Sequence, residues 1–277
     1  MRPGTPRLSG DGLTLAYDKR TIAERLTVAV PDRSFTVVIG PNACGKSTLL
    51  RALARMLRPS AGTVLLDGRD IHAQPARRVA RTLGLLPQTS IAPDGITVAE
   101  LVARGRYPHQ GLLRQWSRDD ERIVGESMAA TGVADLADRL VDELSGGQRQ
   151  RVWIAMALAQ QTELLLLDEP TTFLDIAHQI EVLDLCATLH EEQGRTLVAV
   201  LHDLNQAARY ASHLIAMRDG QVVAAGPPRE IVTADLVERV FGLPCRVIDD
   251  PETGSPLVVP AARRVPAASA SPPIIGA

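Results

Sequence analysis

The residues with the most chemical content are Gly40-Pro41-Asn42-Ala43-Cys44-Gly45-Lys46-Ser47-Thr48, which fit the pattern GxxxxGK[ST]. Glycines let such a backbone curl until successive N–H groups converge on phosphate oxygens, and the following helix adds the positive end of its dipole. Lys46 is placed to reach the β- and γ-phosphates, and the Ser47 hydroxyl to ligate Mg²⁺. A second group is Leu164-Leu165-Leu166-Leu167-Asp168-Glu169, an apolar run closed by two carboxylates. At the end of a buried strand, Asp168 can hold Mg²⁺ through water while Glu169 faces the attacking water as general base. Without the upstream phosphate loop the same segment reads equally well as a core strand ending in a solvated acidic turn.

A third group is Leu144-Ser145-Gly146-Gly147-Gln148-Arg149-Gln150. Paired glycines before a helical run form another N-terminal anion site, with Ser145 able to bond a phosphate. Taken alone, Ser-Gly is as often a plain helix cap. One chain does not need two cradles for one nucleotide; two chains placed head to tail do, and a homodimer is the reading that uses both.

These groups need elements to position them. The short apolar runs 36–39, 164–167 and 197–201 read as buried parallel strands. Residues 47–57, 148–160 and 205–212 have helical spacing, and strands alternating with helices imply a parallel sheet covered by helices. Segments 13–17, 26–30 and 62–66 alternate and are punctuated by Pro31, Asp67 and Gly68, which suggests a small antiparallel layer. Residues 88–144 carry helical patterning and little strand character, as an inserted helical subdomain would. The fold expected is α/β, a parallel core with an antiparallel β-subdomain and a helical subdomain at about 89–160. Residues 1–7 read as a tail, 8–243 as the nucleotide-binding domain, 244–260 as an extension and 261–277, rich in Pro, Ala and Ser, as disordered.

The bulk numbers narrow the function classes. With 277 residues and 45% hydrophobic content the chain can bury a large core. A net charge of −2 gives no field for nucleic acid or a lipid surface. No apolar run approaches the ~18–20 residues that span a bilayer, and the start lacks the apolar stretch of a signal peptide. Three cysteines without metal spacing suit a reduced compartment. Cys44, inside the loop, is expected to be open to alkylation when nucleotide is absent, and Arg77, Arg78 and Arg81 to form a solvated face.

In the order phosphate loop, LSGGQ, strand ending Asp-Glu-Pro and lone histidine after the next strand, the chain resembles the ABC ATPase family over about residues 8–243. The resemblance implies a P-loop NTPase fold with a RecA-like parallel sheet core, and ATP with Mg²⁺ as the bound species. It implies that Tyr17 stacks on adenine, that Gln88 senses Mg²⁺ and the γ-phosphate and meets a permease, and that Asp175 in TTFLD crosses a dimer interface. It implies that His202 contacts the γ-phosphate and positions water. The stretches TTFLDIAHQ, HDLNQAARYASH, RGRYPH and FGLPCRVIDDPETGSPLVVP are similar to ATPases of bacterial iron–siderophore importers of the ferric enterobactin and ferrichrome types, with relatives serving haem and vitamin B12. Such a subunit works at the cytoplasmic face of the cell membrane with an integral-membrane permease and, indirectly, an extracellular or periplasmic binding protein. A soluble ABC ATPase of the iron–sulfur assembly type shares the motifs; a small kinase or GTPase shares only the phosphate loop.

Overall fold

The computed structural model describes residues 6–18, 20–88, 91–111 and 116–262. The chain runs through β1 (Leu8–Tyr17), β2 (Arg20–Val30), β3 (Phe35–Ile39), α1 (Lys46–Leu53), β4 (Ala61–Leu66), β5 (Arg69–Asp70), α2 (Ala76–Thr82) and β6 (Leu83–Leu86). A helical stretch follows, with α3 (Val98–Ala103), a 3-10 turn at Arg104–His109, α4 (Arg118–Ala130) and α5 (Gly146–Ala159). Then come β7 (Leu164–Asp168), α6 (Ile176–Glu191), β8 (Thr196–Val200), α7 (Leu204–Tyr210), β9 (His213–Arg218) and β10 (Gln221–Gly226). The described chain closes with α8 (Pro228–Ile231), α9 (Ala234–Phe241), β11 (Cys245–Asp249) and β12 (Pro256–Pro260).

The main sheet has the order β10-β9-β3-β8-β7-β6, parallel except for the antiparallel pair β9–β10. Every residue of β3, β7 and β8 is buried. Strands covered on both faces read as continuous apolar runs, which is why all three are visible in the sequence. Their side chains alternate between two cores. Phe35, Val37, Leu165, Leu167, Leu197 and Ala199 face the core shared with α3 to α6. Val38, Leu164, Leu166, Val198 and Val200 face a second core, shared with α1 and the small sheet. That small sheet, β2-β1-β4-β5, is antiparallel as expected.

Three differences have physical causes. Helix α1 ends earlier than residue 57, because Arg55 turns to φ +64° and the N–H groups of Met56 and Leu57 fold back onto the Arg51 carbonyl. Strands β6, β9 and β10 were not among the strands expected. β6 has only four residues and β10 is a partly exposed edge strand, whereas the buried run Leu214–Met217 of β9 is as apolar as those of β7 and β8 and went unread. Arg77 and Arg81 are exposed, yet both Nε groups donate to the Pro108 carbonyl, at 2.9 and 2.8 Å. They fasten α2 to the 3-10 turn and are more than a solvated face.

The helical lobe is held by caps and one buried ion pair. Ser117 and Asp120 form a reciprocal capping box on α4, and Thr97 with Glu100 does the same on α3. Arg106 Nε reaches Asp120 Oδ1 at 2.8 Å while its Nη1 donates to the Ala159 carbonyl at 2.7 Å. At the other end, β11 and β12 pair over residues 245–260, and Asn205 of α7 exchanges two hydrogen bonds with Val258. Of the segment 261–277 only Ala261 and Ala262 are described; the expected disorder concerns residues outside the described ones.

Candidate functional site

The loop 40–45 joins the C-terminal end of β3 to α1, where a parallel sheet of this kind offers its crevice. Gly40 at φ +153° passes so close to β9 that a Cβ there would lie 2.2 Å from the Met217 carbonyl oxygen. Gly45 at φ +105° opens α1 with no side-chain cap, leaving the first N–H groups of the helix free for a ligand. Ala43 takes the left-handed region at φ +61° without being glycine.

Lys46 is buried, at 5% exposure, and its Nζ donates to the carbonyls of Gly40 and Pro41 at 2.8 and 2.9 Å. A buried ammonium with only carbonyl partners is held ready for an anion. Ser47 Oγ donates to Asp168 Oδ1 at 2.8 Å, which ties the start of α1 to the end of β7. Asp168 is 1% exposed and its other oxygen, Oδ2, is buried without a hydrogen-bond partner. Burial pushes the Asp168 carboxyl above the usual carboxylate range and Glu169 pushes it the same way; the Ser47 bond and the charges of Arg51 and Lys46 oppose them. An orphaned carboxylate oxygen beside a hydroxyl is a donor set that suits a hard divalent cation such as Mg²⁺.

Glu169 follows at φ +55°, a left-handed conformation that costs a non-glycine residue energy and turns its side chain away from the strand direction. Its Oε1 lies 2.8 Å from His202 Nε2 and its Oε2 accepts from Thr172 Oγ1 at 3.2 Å. Glu169 is 9% exposed, whereas the His202 side chain is about half exposed and stands directly after Leu201 at the end of β8. A cavity of about 500 Å³ brings these groups together. Asn42, Ala43, Gly45, Lys46, Ser47 and Thr48 form one wall, and Gln88, Glu169 and His202 close the other.

Cys44 does not face that cavity. It is buried, and burial pushes its thiol up in spite of the Lys46 charge. This corrects the expected openness to alkylation, since a protonated thiol in the apolar layer is a poor nucleophile. Arg20 and Ile22 of β2 also line the cavity. No motif contains them, and only the closeness of β2 to Gly45, whose Cβ would lie 3.2 Å from Ile22 Cγ2, reveals them. Tyr17 stands at the end of β1, outside the lining, with its hydroxyl accepting from Arg51 at 3.3 Å.

The chain does not bring Ser145, Gly146, Gly147 and Gln148 to this cavity. They start α5, where Ser145 Oγ accepts from the Gln148 N–H at 3.3 Å and Gln148 Oε1 accepts from the Ser145 N–H at 3.1 Å. Beside them runs the loop to α6, with Leu174 Cδ2 3.3 Å from where a Gly147 Cβ would be. Asp175 caps α6, accepting from the His178 N–H at 2.9 Å and touching its Nδ1 at 2.7 Å. The His178 bonds hold the Asp175 carboxyl below its ordinary range.

The family model described as ABC transporter matches residues 23–172. The ferric enterobactin transport ATP-binding protein FepC of Escherichia coli (strain K12) is 59% identical over 271 residues, 98% of this chain and 100% of that one. The achromobactin transport ATP-binding protein CbrD of Dickeya dadantii (strain 3937) is 54% identical over 254 residues, 92% of this chain and 94% of that one. Dimeric structures of the bacterial ABC transporter cassette MJ0796, one of them a post-hydrolysis state with ADP and Pi, align with a TM-score of 0.72 at 25% identity. They cover 79% of this chain and 98% of theirs.

Proposed function

The chain belongs to the ABC transporter family, and from that membership we propose that it is the ATP-hydrolysing subunit of an importer for ferric siderophores. The observation that carries the chemistry is the single cavity in which Lys46, Ser47 and the Glu169–His202 pair meet, with Asp168 bonded to Ser47 from behind. The relatives that transport ferric enterobactin and achromobactin, similar over nearly the whole chain, support the cargo class.

ATP enters with its phosphates on the loop 40–45 and on the open N-terminus of α1. Lys46 gives up its loop carbonyls for the β- and γ-phosphates, and Tyr17 lies on the adenine side. Ser47 and Asp168, with Gln88 beside them, would hold Mg²⁺, which would supply neutralisation of the phosphate charge. Glu169 accepts the proton of the attacking water, kept on line by its bonds to His202 and Thr172. His202 also faces the γ-phosphate oxygens. Ser145, Gly146, Gly147 and Gln148 serve the nucleotide of a second copy, and Asp175 crosses between the two. Two ATP molecules thus close a homodimer, and loss of the γ-phosphate lets it part.

Among the described residues no helix is long and apolar enough to cross a membrane. In the proposed reading the cargo crosses through a separate permease, with this subunit at the cytoplasmic face of the membrane. The test is growth of a deletion strain on single iron sources. Loss of growth on one or more ferric siderophores, restored by the wild-type gene, is expected. Unchanged uptake of every ferric siderophore, with haem or cobalamin uptake lost instead, would refute the cargo class.

A further inference from the structure

Two cavities lie along one seam, where the helical lobe meets the sheet-covering helix α6, and neither belongs to the nucleotide site. The first, about 190 Å³, is walled by Ile154 of α5 and Val182 of α6 and has Arg151 at its edge. The second, about 350 Å³, is walled by Leu158 of α5 and Leu189 of α6 and has Arg195 at its edge. Ala130 and Leu185 line both, so the cavities share a floor.

Both arginines are without partners of their own. Arg151 Nε is buried with no hydrogen-bond partner, and among the described residues neither guanidinium forms an ion pair or a side-chain hydrogen bond. Burial alone acts on Arg195 and lowers its pKa, with no carboxylate to offset it. The acidic groups near the seam do not fill the gap. Glu126 is held by Arg122, at 2.7 and 2.8 Å, and Glu181 is exposed at the rim of the Arg151 cavity. A half-buried guanidinium without an anion costs desolvation that a carboxylate repays with two parallel hydrogen bonds.

The spacing sets the size of the ligand. Along α6 the Arg151 cavity begins at Glu181 and the Arg195 cavity reaches Leu189. Eight residues of helix rise by about 12 Å. A chain of about eight to ten carbons, with C–C bonds near 1.5 Å, spans that length. Apolar walls with a few convergent polar groups are the usual make-up of a small-molecule site. We propose that this seam binds an elongated organic dianion, with an apolar spine over Ala130 and Leu185 and a carboxylate at each arginine. The occupant would wedge α5, which starts at Ser145, against α6, which starts after Asp175, and so slow any relative movement of those two ends.

The test is calorimetric titration of the full-length, nucleotide-free chain with decanedioate, which makes it independent of the ATPase reading. Saturable one-to-one binding is expected, weakened by rising salt, with decanoate binding less tightly. Arg151→Gln and Arg195→Gln should each weaken it by about tenfold or more, the scale of a lost charge-assisted contact. Arg195→Lys should bind with intermediate affinity, and Leu185→Trp, which fills the shared floor, should abolish binding while far-UV circular dichroism and ATP binding stay as in the wild type. Absence of saturable heat up to about 5 mM, a range that corresponds to weaker than millimolar affinity, would overturn the proposal. So would equal affinities in the wild type and both glutamine variants, or undiminished binding in Leu185→Trp.

Discussion

Replacing Glu169 by glutamine separates what that side chain does for chemistry from what it does for the fold. The amide keeps the length of the carboxylate, and its oxygen can still accept from Thr172, whose hydroxyl lies 3.2 Å from Oε2 in the native chain. What is lost is a base at 2.8 Å from His202 Nε2. Because the His202 side chain is half exposed, that pair contributes no more than about 1 kcal/mol to stability. In a chain of this size the melting temperature should move by no more than about 4 °C. Proton abstraction by a positioned base is worth about 10²–10⁴ in rate, which is about 2.7–5.4 kcal/mol of barrier. The assay is steady-state phosphate release with the permease present, beside equilibrium binding of ATP and light scattering for dimer formation. ATP binding should stay within about threefold of wild type while turnover falls by at least about a hundredfold and the ATP-bound dimer persists. Turnover within about threefold of wild type would remove Glu169 from the role of base. A large loss of melting temperature would instead show that the Glu169–His202 contact, and not the chemistry, had been misjudged.

Arg106→Met leaves the Asp120 carboxylate buried without its cation, and breaking such a pair costs about 3–5 kcal/mol. Chemical denaturation should show that loss, with a melting temperature lower by roughly 6–20 °C; a loss below about 1 kcal/mol would mean that water reaches the pair. Asp168 carries a raised carboxyl pKa, so its stability contribution is fully present below the unfolded value, near 3.8, and is lost as pH rises through the folded one. Asp168→Asn should therefore raise the nucleotide-free melting temperature around pH 7 while abolishing Mg²⁺-dependent hydrolysis; a lowered melting temperature there would contradict the burial argument. Cys44 should react with iodoacetamide about tenfold or more slowly in the folded chain than in the denatured one, as read by mass spectrometry. Equal rates would place the thiol in the cavity after all.

The site was legible in the sequence where chemistry demands particular residue types at fixed spacing. Lys46, Ser47, Glu169 and His202 come from three separate stretches, yet the ends of β3, β7 and β8 bring them to one cavity, with Asp168 buried behind Ser47. Strands β3, β7 and β8, buried on both faces, announce themselves as apolar runs; Leu214–Met217 of β9 carries the same signal without having been read, and β10 is partly exposed at the edge of the sheet. Arg20 and Ile22 were missed because they reach the cavity through the closeness of two sheets, a property of tertiary packing with no local signature. The tie from Arg77 and Arg81 to Pro108 was hidden for the same reason, since an arginine on an exposed helix face looks the same whether or not a carbonyl waits beyond it.

The core that faces α3 to α6 has a consequence for how the helical lobe can travel. Val124 and Leu101 of the lobe belong to the same apolar cluster as Phe35 and Leu167 of the sheet, so no polar boundary separates the two parts. A hinge that swung the lobe outward would expose that shared interior to water, at about 25 cal/mol for each Å² uncovered. A shear, in which α5 slips along the sheet by small rotamer changes, keeps the buried area nearly constant. The lobe is thus better suited to gliding across its foundation than to lifting from it, and the pace of that glide is set by how its side chains interlock.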